Sequence, residues 1–187
     1  MTQRYPHTVT VPHSDDYHGT IVDDPYRWLE ANADSEEVAS WIREQNELSR
    51  QELTAGWHRG SIMDRLEALW DYGKAGAPWQ VAGKWFQFRN SGMQNQDVLW
   101  LLEHPTDTGR VLLDPNSLAK DGSASLSTAR VSPDGRHLAY GVNWGGSDWT
   151  TWHVLEIDTG RQLPDEVRWS RFSGATWLPD SSGFLYS

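Results

Sequence analysis

The sequence predicts a mainly β protein with an N-terminal α-helical leader followed by part of a β-propeller. Two apolar stripes with helical spacing come first, and Gly73 ends the second. After Pro78 the hydrophobic period changes from helical to two, which is the period of half-buried strands. A turn-and-strand pattern then recurs about every 50 residues, the length of one four-stranded propeller blade.

The leader is predicted to begin as extended chain and to continue into a short helix. Residues 2–20 show no clear period and contain two prolines and a glycine. Asp24 and Pro25 then form a helix start, because Asp caps free backbone N–H groups and Pro suits the first helical position. We expect this first helix over residues 25–30.

Two longer helices are expected to complete the leader. Asp34 and Glu37 have capping-box spacing, and the apolar stripe behind them is expected to end near Gly56. The second stripe starts near Ser61 and runs to Gly73. Glycines and a proline after it stop the helix.

The propeller is inferred from an internal repeat. Pro-Asp-Gly at 133–135 leads to Leu-Ala-Tyr at 138–140, and Pro-Asp at 179–180 leads to Phe-Leu-Tyr at 184–186. A fainter copy begins at Gly83. Pro fixes φ while Asp and Gly supply turn geometry, although such turns also occur in ordinary hairpins. About two blades and the start of a third fit after residue 72, whereas a propeller needs at least about four. We therefore expect a truncated chain.

Composition excludes several function classes. The chain has 187 residues and a formal net charge of -10, which argues against binding to nucleic acid or to an anionic membrane surface. It has no cysteine, so disulfides and thiolate zinc sites are excluded. There is no membrane span or secretory leader, and the default compartment is the cytoplasm. Most of the 12 tryptophans are expected in the core, although tryptophan also lines peptide and carbohydrate grooves.

No catalytic, metal or cofactor site is expected within the chain. Gly145-Gly146-Ser147-Asp148-Trp149 begins like the Gly-x-Ser-x-Gly elbow of serine hydrolases, but Trp149 replaces the required last glycine. The segment is therefore predicted to be a hairpin loop. The seven histidines lack the spacing of a helical metal site. From its chemistry alone, the chain is not a self-sufficient enzyme.

Several motifs closely resemble the N-terminal region of the prolyl oligopeptidase family of serine peptidases. The resemblance covers nearly the whole chain, and the most specific string is Asp-Pro-Tyr-Arg-Trp-Leu-Glu at 24–30. The other matching segments are Asp-Tyr-His-Gly at 16–19, Leu-Trp-Asp-Tyr at 69–72, Gly-Met-Gln-Asn-Gln at 92–96, Leu-Leu-Asp-Pro-Asn at 112–116 and Gly-Ser-Asp-Trp at 146–149.

The resemblance implies a seven-bladed propeller that covers an α/β-hydrolase domain carrying a Ser-Asp-His triad. Residues 1–72 would pack on that C-terminal hydrolase domain, which this chain lacks, and residues 73–187 would form the first blades. The implied reaction is hydrolysis of short proline-containing peptides after proline, with the propeller excluding large proteins. The rival hypothesis is a non-catalytic propeller that binds peptides or glycans through its tryptophans.

The resemblance also identifies two residues of the substrate pocket. Phe172 matches a family position that lines the pocket beyond proline, where an aromatic ring offers apolar area. Asp148 matches an acidic position facing the central cavity and would bias the field felt by charged peptides. The alternatives are a core residue of the third blade for Phe172 and a turn residue for Asp148. The segment 165–170 departs from the family pattern, notably at Trp169.

Overall fold

A computed structural model describes residues 5–31, 35–56 and 58–187 of the chain. It divides into two compact units, Met1–Arg65 and Leu66–Ser187. Within the described residues, none of the helices combines the length and apolar character needed to cross a membrane.

The first unit begins with a hairpin that the sequence did not predict. Strand β1, Ser14–Tyr17, pairs antiparallel with β2, Thr20–Asp23. Gly19 in the connecting turn has a φ of 92° and donates its N–H to Asp16 Oδ1 at 2.6 Å. Almost every residue of both strands is exposed, so no alternation of apolar and polar residues marks them in the sequence.

Three helices follow, close to their predicted positions. The first is a 3₁₀ helix over Arg27–Glu30, and Asp24 Oδ1 accepts a hydrogen bond from the backbone N–H of Tyr26 just before it. Helix α1 spans Glu36–Thr54 and α2 spans Arg59–Trp70. The predicted capping residue Asp34 lies outside the described residues.

The second unit contains a five-stranded β-sheet, a four-stranded β-sheet and a further hairpin. In the first blade, β3 and β4 both pair with β5, and their registers differ by one residue. Together they form one interrupted edge strand of the sheet. At the interruption, Gln87 Nε2 donates a hydrogen bond to the carbonyl of Gly76 at 2.8 Å. The strands of this blade are β3 Lys74–Ala75, β4 Trp79–Val81, β5 Lys84–Asn90, β6 Val98–Leu102 and β7 Arg110–Leu113.

The second blade is an antiparallel meander in which successive strands are neighbours. A 3₁₀ helix over Pro115–Ser117 precedes it. Its strands are β8 Ala124–Val131, β9 His137–Trp144, β10 Trp149–Glu156 and β11 Gln162–Arg171. The hairpin of β12 Thr176–Trp177 and β13 Phe184–Leu185 then opens the third repeat. This arrangement confirms the predicted fold, which is mainly β and consists of N-terminal helices followed by part of a propeller.

The sequence repeat corresponds to the turn between the first two strands of each blade. Lys84 of the first turn donates to the carbonyl of Gly135 in the second, at 3.0 Å. Asp134 of the second turn donates its N–H to Ser181 Oγ in the third, at 3.1 Å. The repeated turns therefore also join neighbouring blades at one end of the sheets.

Apolar contacts between blades form the core. One buried cluster joins the first and second blades and includes Phe86, Leu99, Leu138 and Tyr140. A smaller cluster around Trp152 joins the second blade to the β12–β13 hairpin. The expectation that most tryptophans lie in the core is met only in part, since several described ones are exposed: Trp70, Trp144, Trp149 and Trp169.

Candidate substrate-binding surface

The two predicted pocket residues lie at the same end of the second blade. Asp148 directly precedes β10 and Phe172 directly follows β11. Because these strands are antiparallel and Trp149 lies opposite Arg171, the start of β10 and the end of β11 meet. The fold therefore brings together two residues that lie 24 positions apart in the sequence.

Arg171 links the two predicted residues directly. Its Nη2 donates a hydrogen bond to Asp148 Oδ2 at 3.0 Å, and both side chains of this ion pair are about half exposed. The guanidinium carbon lies 4.7 Å from the centroid of the Phe172 ring and 5.5 Å from the Trp149 ring. Both distances are within the range of a cation–π contact. Neither Arg171 nor Trp149 was predicted from the sequence to contact the two pocket residues.

Phe172 presents its ring to solvent. Its exposed fraction is 80% among the described residues. Its φ is 53°, in the left-handed region that bulky residues rarely adopt. This backbone conformation accompanies the outward placement of the ring at the end of β11.

Trp169 has the same two unusual properties. It is 76% exposed and has a φ of 64°. The register of β10 with β11 shifts by one residue between Thr150 and Trp152, which identifies a β-bulge on β11 that contains Trp169. The Trp169 ring meets Trp149 edge to face, with centroids 5.7 Å apart.

Ser170 anchors the strand between the two exposed aromatic residues. It is 1% exposed and pairs with Thr150 of β10. Its hydroxyl donates to the carbonyl of Ser187 at 2.8 Å. A buried residue thus separates two outward-pointing rings, and the position of the end of β11 is fixed by contacts on the blade side.

The loop that resembles a hydrolase elbow is a hairpin loop, as expected. Gly145 and Gly146 both have positive φ and connect β9 to β10. The Ser147 hydroxyl accepts a hydrogen bond from the Trp149 N–H at 3.2 Å, and Asn143 Nδ2 donates to the Ser147 carbonyl at 2.9 Å. Ser147 therefore closes the loop. Within the described ranges, no cluster of three or more acidic or histidine side chains could hold a metal ion.

The opposite end of the blades is closed by polar contacts. Lys84 contacts Asp158, and this hydrogen bond is the main reason why the pKa of Asp158 is lowered. Arg110 donates to the carbonyls of Ile157 and Asp158 at 2.6 and 3.0 Å. Lys84 and Arg110 thus join the first blade to the second at this end, whereas the Phe172 end presents exposed aromatic rings.

A second concave surface lies between the second blade and the β12–β13 hairpin. It encloses about 250 Å³ and is lined in part by Trp152, Val167, Trp177 and Phe184. Trp152 is fully buried, and its Nε1 has no hydrogen-bond acceptor among the described residues. The lining residues also pack in the smaller core cluster, so this groove is a continuation of blade packing rather than the surface that carries Phe172.

Comparison with known proteins identifies relatives over the whole chain. The family described as "Prolyl oligopeptidase, N-terminal beta-propeller domain" matches residues 6–187. The prolyl endopeptidase of Elizabethkingia meningoseptica is 36% identical over 98% of this chain and 26% of its own length. The dual function macrocyclase-peptidase POPB of Amanita bisporigera is 36% identical over 97% of this chain and 28% of its own length.

Solved structures show the same likeness. A prolyl endopeptidase structure superposes with a TM-score of 0.83 at 32% identity, covering 98% of this chain and 27% of that one. Prolyl oligopeptidase B from Galerina marginata, bound to a 35mer hydrolysis and macrocyclization substrate, superposes with a TM-score of 0.78 at 34% identity, covering 98% and 29%. The chain therefore spans about a quarter of the length of these relatives. It belongs to the prolyl oligopeptidase family of serine peptidases, to whose N-terminal β-propeller domain residues 6–187 correspond.

Proposed function

We propose that this chain is the N-terminal and first-propeller part of a serine endopeptidase that cleaves short peptides after proline. The observation that carries the proposal is the match of residues 6–187 to the N-terminal propeller domain of the family, together with 36% identity to a prolyl endopeptidase over 98% of this chain. In such a peptidase a serine attacks the peptide carbonyl, a histidine transfers the proton and an oxyanion hole stabilises the intermediate. We assign none of these catalytic groups to this chain.

The propeller part would control which peptides reach the catalytic groups. Residues 73–187 would form the first blades of a cover that admits short peptides and excludes large folded proteins. The relative from Galerina marginata was solved with a 35mer substrate bound, which supports peptides as the ligand class. Proline-containing peptides are therefore the partners that we propose for this chain.

Phe172 would form one wall of the substrate pocket. Its ring is exposed at the end of β11, where it can bury apolar area of a peptide residue two positions before proline. Asp148 would act mainly by holding Arg171 in place, and less through the electrostatic field that a charged peptide feels at a distance. Since the guanidinium lies 3.0 Å from the carboxylate, the two charges largely cancel at a distance.

Residues 1–72 would pack on an α/β-hydrolase domain of the same protein. Support comes from α2, whose apolar stripe is exposed at Ile62, Leu66 and Leu69. Exposed apolar area of this kind marks a surface that contacts another protein part. The hydrolase domain is thus the second partner that we propose.

The first experiment is a comparison of the 187-residue chain with the complete product of its gene. We expect the complete product to cleave a Gly-Pro reporter substrate and the purified chain to give no cleavage above background. Cleavage by the purified chain would overturn the proposal that this chain lacks the catalytic groups. A complete product that lacks a Gly-x-Ser-x-Gly elbow, or that leaves the reporter uncleaved, would overturn the peptidase assignment.

The second candidate function is a non-catalytic module that binds peptides or glycans. The exposed Trp149 and Trp169 favour it, since tryptophan rings form platforms for such ligands. Titration of the chain with cello-oligosaccharides and with proline peptides separates the two candidates. Saturable glycan binding together with a complete product inactive on the reporter would favour the binding module.

A further inference from the structure

We propose that Trp149 and Trp169 form an additional subsite beside Phe172, which takes an aromatic side chain located upstream of the proline. This inference rests on the proposed function, because its ligand is the extended substrate peptide. Trp169 would then be a specificity-determining residue.

The first support is a continuous row of flat groups. The Phe172 ring lies under the Arg171 guanidinium at 4.7 Å, and the same guanidinium lies 5.5 Å from the Trp149 ring. Trp149 in turn meets Trp169 at 5.7 Å with an interplanar angle of 83°. The row starts at the proposed pocket wall and ends at an indole that is mostly exposed.

The second support is the backbone of Trp169. A tryptophan with a φ of 64° is unfavourable, because its Cβ crowds the backbone in the left-handed region. The bulge holds this conformation while the neighbouring Ser170 stays buried. Strained residues of this kind are concentrated at ligand-binding positions. Within the described residues the Trp169 ring packs on Trp149 and belongs to neither core cluster, which favours a role in contacting a ligand.

The chemistry of the row selects the ligand class. The charge of Arg171 is already matched by Asp148, so the row offers little net charge to an acidic or basic side chain. Open indole faces and edges contact aromatic rings in stacked or edge-to-face geometry. An aromatic peptide side chain is therefore the best-matched occupant.

The spacing places this occupant along the peptide. An extended peptide advances about 3.3 Å per residue, so each step of the row corresponds to one or two residues. If Phe172 contacts the residue two positions before proline, Trp149 lies two steps along the row and faces a residue about four to six positions before proline. Trp169 lies three steps along the row and faces a residue about five to eight positions before it. The subsite thus requires a peptide longer than a minimal proline dipeptide.

The test scans an aromatic residue along a peptide. A set of alanine-based peptides ending in Gly-Pro-Ala carries one phenylalanine at a single position from the third to the eighth before proline, and an all-alanine peptide is the reference. Binding to the full 187-residue chain labelled with 5-fluorotryptophan is followed by ¹⁹F NMR. We expect phenylalanine at one of the positions four to eight to tighten binding about fivefold and to shift the Trp149 and Trp169 signals.

Two variants test whether Trp169 carries the preference. Trp169→Ala should remove the gain from phenylalanine and leave the all-alanine peptide unchanged. Trp144→Ala removes another exposed indole of the same blade, on β9, and should keep the gain. Equal weakening of every peptide by Trp169→Ala would indicate a merely structural role and would overturn the subsite.

Failure of the subsite can be told apart from failure of the proposed function. If phenylalanine gives no gain at any position while Phe172→Ala still weakens all peptides, the subsite is overturned and the peptide-binding function stands. If the chain binds none of the peptides and the complete gene product leaves the Gly-Pro reporter intact, both are overturned. Signals that respond only to cello-oligosaccharides would overturn the subsite in favour of a glycan surface.

Discussion

Arg171 donates a 3.0 Å hydrogen bond to Asp148 across the meeting ends of β11 and β10, and the same guanidinium lies over the Phe172 ring. The ion pair therefore fixes the position of the Arg171 guanidinium, which in turn contacts the Phe172 ring. Both ionic side chains are about half exposed, so the pair contributes little to global stability. Its main effect is local, on the position of the Arg171 guanidinium between the Phe172 and Trp149 rings.

The first prediction concerns the coupling between these two residues. Asp148→Asn and Arg171→Met should each lower the free energy of unfolding by less than about 1 kcal/mol, because exposed ion pairs are weak. The double variant should be less destabilised than the sum, by about 0.5 kcal/mol, measured by urea denaturation. Arg171→Lys serves as the control, since it keeps the charge and loses the planar stacking on Phe172. Strict additivity in the cycle would show that the ion pair is not formed in solution.

The second prediction concerns the close approach of the first and second blades. Gly135 has a φ of 70°, and a Cβ at this position would lie 2.7 Å from the Cβ of Ala82. Gly135→Ala combines backbone strain with a clash between blades, and we expect it to cost about 2–3 kcal/mol in urea denaturation.

Gly160→Ala is the matched control for this clash. Gly160 has a φ of 72°, and a Cβ there would meet nothing within 4 Å. It should cost only the strain of a left-handed alanine, about 1 kcal/mol. An equal loss of unfolding free energy at the two glycines would mean that a Cβ at position 135 does not clash with Ala82.

The third prediction tests the strain at Trp169 by stability. Glycine adopts positive φ without penalty, so Trp169→Gly should be more stable than Trp169→Ala by about 1 kcal/mol. Arg168 is also exposed and is not among the residues with positive φ, so Arg168→Gly should be less stable than Arg168→Ala. The opposite order at position 169 would contradict the left-handed conformation.

Much of the fold could be predicted from the sequence because the propeller repeat is local. Each copy carries its own turn residues and its own apolar strand, as in Pro133-Asp134-Gly135 before β9. The β1–β2 hairpin could not be predicted in this way. It is exposed on both faces, so burial imposes no alternation on its residues.

The candidate site could be predicted only in part, and the reason is register. Phe172 and Asp148 were predicted from a family resemblance. Their positions relative to each other depend on how β10 pairs with β11. The bulge at Trp169 shifts that pairing by one residue, so that Trp149 lies opposite Arg171. A shift of one residue changes which face a side chain occupies. The relative positions of the Phe172, Trp149 and Trp169 rings therefore depend on a backbone irregularity that no periodicity in the sequence reveals.

The last prediction concerns pH and His153 on β10. This side chain is half-buried, with its ring 5.4 Å from that of Tyr140, and Gln162 Nε2 lies 3.3 Å from its Nδ1. Burial is the largest cause that lowers the pKa of His153 below its usual 6.5; Glu166 opposes the shift and Arg168 adds to it. The unfolded chain therefore binds a proton at this residue more readily than the folded chain.

The sign of the pH dependence follows from that difference. When the unfolded state binds more protons, stability falls as pH falls. The urea midpoint should therefore be level above pH 7.5 and should decline in a window that opens as the pH falls toward about 6.5. The carboxyl groups of Asp134 and Glu156 have lowered pKa values and titrate below this window. His153→Gln should flatten the decline, whereas His104→Gln, in an exposed loop, should keep the slope of the parent chain. A His153→Gln profile parallel to that of the parent would assign the decline to another group.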